Sequence, residues 1–67
     1  MDAGHRETAR NLFVEATMLM EEAATTALGG QSPKLTAREC RAAALHLQQA
    51  AEDLAALAKV TLLLSRS

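Results

Sequence analysis

One short break decides the fold: Gly29-Gly30-Gln31-Ser32-Pro33-Lys34-Leu35 holds two of the three glycines and the only proline. The long segments on either side of it contain no strong helix breaker apart from Gly4. Helices commonly end on a left-handed glycine, and a proline cannot continue the preceding helix. We therefore predict a first helix over about residues 3–28, with the chain turning left-handed at Gly29.

The second helix has a well-marked start. Thr36-Ala37-Arg38-Glu39 fits the Ser/Thr-x-x-Glu capping box, in which the cap and the third helical residue satisfy each other's backbone N–H groups. Nothing interrupts the chain from about residue 37 to about 64, and Asp2 can cap the first helix. Two such helices, joined by a loop of about seven residues, are expected to form an antiparallel hairpin.

Composition agrees with an all-α single domain over residues 1–67. Alanine (15) and leucine (11) make up most of the hydrophobic residues, while strand-favouring residues are scarce, with two Val, one Phe and no Ile, Tyr or Trp. The length excludes a multidomain enzyme, and the longest apolar run is too short for a membrane helix. A single cysteine cannot form an intrachain disulfide, which favours a reducing, cytoplasmic setting.

Residues of the two helices, placed about 100° apart, fall into apolar stripes that we expect to face each other. On the first helix the predicted inner residues are Ala9, Leu12, Phe13, Ala16, Leu19, Met20, Ala23 and Ala27. On the second they are Cys40, Ala43, Ala44, Leu47, Ala50, Ala51, Leu54, Ala58, Thr61 and Leu62.

Further apolar residues remain outside these stripes. The end of the second helix is apolar nearly all round, so a single hairpin cannot cover it. We expect an obligate partner to bury this surface, either a second copy, giving a four-helix bundle with two-fold symmetry, or a larger protein. The predicted interface consists of Leu45, Leu57, Val60, Leu63 and Leu64, with Val14 and Met18 as a lesser patch.

Charge is divided along the chain, with a net −3 over residues 1–30 and +2 over residues 31–67. An antiparallel hairpin is expected to bring Glu21 and Glu22 beside Arg38 and Arg41. The same arrangement is expected to bring Arg10 near Asp53. Each such exposed pair contributes at most about 1 kcal/mol.

Catalytic and cofactor chemistry finds little support. His5 and His46 are expected to lie far apart in the hairpin, and Cys40 has no base beside it to activate it as a nucleophile. We therefore expect no enzyme, no metal and no cofactor. Arg38 and Arg41, near Lys34, are candidates for polar or anion contacts, but the net charge of −1 and an inward-facing Phe13 argue against nucleic-acid binding.

The second helix runs Leu47-Gln48-Gln49-Ala50-Ala51 into an apolar end, after a polar-faced first helix and a glycine break. In this layout the chain resembles the small helical-hairpin co-chaperones of type III secretion, although its break is longer than theirs. That resemblance implies a subunit of a hetero-complex. In architecture the chain also resembles plasmid RNA-binding hairpins that dimerise into four-helix bundles, which implies a dimeric nucleic-acid-binding regulator.

The expected function is a non-enzymatic protein-protein interaction module that oligomerises or binds a partner through its apolar second helix. A chaperone-like subunit of a hetero-complex is the main alternative. A dimeric RNA- or DNA-binding regulator is the third.

Overall fold

The computed structural model describes residues 1–66, and within them the fold is all-helical. Helix α1 spans Ala3–Gly29 and helix α2 spans Ala37–Ser65. The two pack against each other as an antiparallel hairpin of 51 × 15 × 10 Å. Both predicted helices are confirmed, with bounds that agree to within one residue at each end.

Local hydrogen bonds explain where the helices begin. The Asp2 carboxylate accepts from the His5 backbone N–H at 2.7 Å. At α2, Thr36 Oγ1 accepts from the Glu39 N–H, and Glu39 Oε1 accepts from the Thr36 N–H, each at 3.1 Å. Both predicted caps are therefore present, and each satisfies backbone donors that have no partner inside the helix.

The end of α1 differs from the prediction. No glycine in the described residues has a positive φ, and Gly30 caps α1 with φ −69°. The chain leaves the helix through tightened turns instead, with Gly30 N–H bonded to the Thr26 carbonyl and Gln31 N–H to the Leu28 carbonyl. These bonds satisfy the last carbonyls of the helix without a left-handed residue.

The contact between the helices follows a heptad repeat. The least exposed residues recur at alternating steps of four and three along each helix, which is the a/d spacing of a coiled coil. They form what we call the seam: His5, Ala9, Leu12, Ala16, Leu19, Ala23 and Thr26 on α1, and Ala43, Leu47, Ala50, Leu54, Leu57, Thr61 and Leu64 on α2. Among the described residues only Ala9 and Ala50 are buried, so the hairpin has almost no core of its own.

Two polar residues of the seam, Thr61 and His5, differ in their hydrogen bonding. Thr61 is half-buried, and its hydroxyl donates to the Leu57 carbonyl at 2.8 Å. At the open end, His5 Nδ1 is buried without a hydrogen-bond partner and lies 3.5 Å from Asp2 Oδ2.

The predicted inner stripes are too wide. Phe13, Met20, Cys40 and Leu62 are exposed, as are four alanines of the predicted stripes: Ala27, Ala44, Ala51 and Ala58. Conversely, Leu57 and Leu64 lie half-buried in the seam. Two packed helices bury about two positions per heptad, whereas both apolar stripes span about three.

The predicted cross-helix ion pairs do not form. Between residues 1 and 66, the contact of His5 with Asp2 is the only acid-base pair within 4.0 Å. The heptad positions explain this result, because Arg10 lies on the opposite side of the seam from Asp53, and Arg38 lies on the outward side of α2.

Candidate protein-interaction site

One broad face of the hairpin is apolar along most of its length. We call it the apolar face and define it by the residues that flank the seam on that side: Phe13, Met20 and Ala27 of α1, and Ala44, Ala51, Ala58 and Leu62 of α2. Shallow grooves run along it, and one of about 380 Å³ is lined by Phe13, Met20 and Ala58. Every residue of this set is exposed.

The two ends of the apolar face differ in shape. Phe13, Ala58 and Leu62 line one groove together, at the end of the hairpin where Met1 and Ser65 lie. Ala27 and Ala44 line another, at the loop end. Large side chains thus crowd the terminal half of the face, and alanines leave the loop half flat.

The opposite face, which we call the acidic face, is defined by Glu15, Glu22, His46, Asp53 and Val60. Glu15, Asp53 and Val60 line one groove, and Glu22, His46 and Asp53 line the next. Asp53 also accepts a hydrogen bond from the Gln49 amide at 3.0 Å. Carboxylates from both helices therefore share one surface.

Five of the seven residues predicted to meet a partner are exposed: Val14, Met18, Leu45, Val60 and Leu63. Leu57 and Leu64 are placed in the seam, which leaves them less surface to offer. The structure does not gather the exposed five into one patch, because Val14 and Leu45 lie on the outward sides of their helices and Val60 lies on the acidic face.

Sequence reasoning missed Phe13, Met20 and Leu62 as surface residues. Phe13 is 61% exposed and Met20 52% exposed. The available signal was the width of the stripe. An apolar residue directly after a seam position, repeated on both helices, is typical of helices that pack on two sides.

The total exposed area of the hairpin is larger than that of a compact monomer. The hairpin exposes 5234 Å², against about 4,100 Å² for a compact monomer of its mass. Its radius of gyration is 15.5 Å, against about 11 Å for a compact domain of this length. The isolated hairpin therefore leaves roughly 1,100 Å² more surface in water than a globular chain would.

Polar candidates are few. Arg38 and Arg41 are exposed on α2 near the loop, and Cys40 is an exposed free thiol. Across the part of the chain that the structure describes, no three His, Cys, Asp or Glu residues come close enough to hold a metal ion. No helix in that part is long and apolar enough to cross a membrane.

The carboxylate of Glu39, near the loop, has a pKa below its ordinary value. Hydrogen bonding from Thr36, first from its side chain and second from its backbone N–H, lowers the pKa of Glu39. The residue is exposed and its partner is the helix cap, so the effect belongs to the start of α2 and not to a catalytic site.

Comparison of the chain with protein families, with curated proteins and with solved structures finds no match.

Proposed function

We propose that the protein is a non-enzymatic interaction module that pairs with a second copy of itself to form a four-helix bundle. The observation that carries this proposal is the imbalance between its core and its surface. Over residues 1–66, large apolar side chains are exposed at ten positions, whereas the buried residues are two alanines.

The energetics of that imbalance favour association. Full burial of one Leu, Val, Phe or Met side chain contributes roughly 1.5–3 kcal/mol. A single chain of this size has only a small free energy of unfolding, and small helical scaffolds are commonly stabilised by oligomerisation. Covering even a few of the exposed side chains would supply most of the stability that a domain this small needs.

A second copy is the simplest partner. It presents the same apolar surface, and two-fold dimers are the commonest soluble oligomers. The net charge of −1 adds little general repulsion between copies. An exposed free thiol, Cys40, fits the reducing cytoplasm, where we place this module.

The proposal is tested by measuring the mass of the purified chain by light scattering over about a thousandfold range of concentration, together with its melting temperature. A dimer of twice 7.1 kDa is expected, with a melting temperature that rises with concentration. A monomer at every concentration would contradict self-association. If that monomer were also poorly helical, a chaperone-like subunit that folds on a different protein would take its place.

A further inference from the structure

The positions beside the seam indicate which face a partner covers. Away from the helix ends, the residue after every second seam residue lies on the apolar face and is apolar: Phe13, Met20 and Ala27 follow Leu12, Leu19 and Thr26, and Ala44, Ala51 and Ala58 follow Ala43, Ala50 and Leu57. A two-stranded coil needs only its two seam positions to be apolar, whereas helices in a bundle carry a third. This pattern predicts another helical layer on the apolar face.

The acidic face does not suit contact with its own copy. Glu15, Glu22 and Asp53 would meet the same carboxylates of a second chain, and like charges brought together oppose association. The apolar face carries charge only toward its margins, at Arg6, Arg10 and Arg41. Its centre can therefore be desolvated without burying an ionised group.

The shape of the apolar face selects an orientation. Phe13 and Leu62 project from the terminal half, while Ala27 and Ala44 leave the loop half flat. When two copies meet head to tail, each large half rests on the other copy's flat half. A parallel arrangement would instead set Phe13 beside the second copy's crowded terminal end.

We propose that two copies dock antiparallel through their apolar faces, with the two-fold axis passing beside Met20 and Ala51. The inference rests on the self-association proposed above. Phe13 and Ala27 are each seven residues from Met20, and Ala44 and Ala58 are each seven from Ala51. The two-fold axis therefore places Phe13 of one copy over Ala27 of the other, and Ala58 over Ala44.

The size of the face fits this role. The broad side of the hairpin that carries this face measures 51 by 15 Å between its outermost Cα atoms, an outline of roughly 750 Å². This is close to the roughly 800 Å² that each partner contributes to a standard stable interface. The two acidic faces then point away from each other into solvent.

Two methionines provide a matched test. Met20 is 52% exposed on the apolar face, and Met18 is 51% exposed about 200° away around α1. We expect Met20→Lys to raise the dissociation constant of the dimer at least about thirtyfold, because each dimer then buries two ammonium groups. Met18→Lys makes the same chemical change outside the apolar face and should change the dissociation constant less than about threefold. The dissociation constant is read from sedimentation equilibrium, with circular dichroism to confirm that both variants stay helical.

A crosslink tests the axis itself. In a Cys40→Ser background, Ala51→Cys should form an intermolecular disulfide on mild oxidation, because the two-fold axis brings the pair within the 4.4–6.8 Å that a disulfide needs. Ala56→Cys, an equally small change on an exposed residue that lines the acidic face, should stay monomeric on a denaturing gel.

The possible outcomes separate the two proposals. A wild-type chain that is monomeric at all concentrations overturns self-association as a whole. A dimer that resists Met20→Lys but dissociates with Met18→Lys keeps the proposed function and overturns the apolar face. Crosslinking at Ala56 but not at Ala51 overturns the axis. A mass that grows beyond the dimer and falls with added salt would show the apolar face stacking on the acidic face of the next copy, which also overturns the inference.

Discussion

The apolar face and the acidic face lie back to back on the same two helices and share one seam. They differ at the two heptad positions that flank it. On the apolar face, Phe13 and Met20 of α1 and alanines of α2 directly follow a seam residue. On the acidic face, Glu15, Glu22 and Asp53 directly precede one. The apolar face is therefore suited to burial away from water, and the acidic face is suited to remain hydrated.

This difference shows how a chain with almost no core can carry two distinct surfaces. Two positions per heptad on each helix form the seam. The residues at the flanking positions determine whether each face is apolar or charged. In a two-helix layer the flanking residues have no third helix to pack on, so they remain exposed and contribute little to the fold of one copy.

The largest expected effect comes from placing a charge on one surface and not the other. Phe13 and Val14 are neighbours that are 61% and 60% exposed, but only Phe13 is on the apolar face. We expect Phe13→Glu to destabilise the proposed dimer by about 2–3 kcal/mol through lost burial and a desolvated carboxylate. Val14→Glu should stay within about 0.5 kcal/mol of wild type. Urea denaturation at equal protein concentration measures both, and equal losses would show that the faces do not differ in function.

A smaller effect is expected where neither face is involved. Gly29 is helical, its φ is not left-handed, and a Cβ built on it meets nothing within 4 Å. Gly29→Ala should stabilise the chain by about 0.5–1 kcal/mol, because alanine loses less backbone entropy in a helix. The gain should appear in thermal melts while the contrast between Met20→Lys and Met18→Lys is unchanged. At Gly30 a Cβ would lie 3.4 Å from the Ala27 carbonyl oxygen, so Gly30→Ala should gain less.

The acidic face can be tested by reversing one of its charges. Asp53 shares its grooves with Glu15 and Glu22. Asp53→Lys should stabilise the hairpin by about 0.5 kcal/mol at low ionic strength, because it replaces repulsion with attraction across the seam. The gain should vanish near 1 M salt, where the screening length is about 3 Å. Glu52→Lys makes the same charge change on the outward side of α2, and a gain of equal size there would argue against repulsion confined to the acidic face.

The smallest effect concerns pH at the start of α2. The pKa of Glu39 is lowered in the folded chain by hydrogen bonding from Thr36. Folding therefore favours the ionised carboxylate, so its stabilising contribution is present above the ordinary glutamate pKa and is lost as the pH falls through the lowered pKa. Glu39→Gln keeps an acceptor for the Thr36 N–H but cannot titrate.

Melting temperatures of the wild type and Glu39→Gln, taken from neutral pH down to pH 3, should converge as the medium becomes acidic. All other carboxylates are common to both chains and cancel in the difference. Curves that stay parallel over this range would mean that the capping box carries no pH dependence.

Prediction from the sequence succeeded where the determinants are local. The capping box at Thr36 and the cap at Asp2 depend on side chains and backbone groups within three residues of each other, and both form as expected. Prediction failed for Phe13, for the left-handed glycine and for the pairs of Arg10 and Arg38, because each of these depends on how the helices are turned or how the chain leaves α1.

By itself, the sequence determined two helices, their limits and the loop that reverses the chain, since helix propensity, caps and breakers act over a few residues. Only the tertiary structure decided which apolar residues enter the seam. Each stripe is about three positions wide, and a contact between two helices buries about two. The choice left Phe13 and Met20 outside and brought Leu57 and Leu64 in, because the rotation of a helix about its axis is set by the partner it packs against.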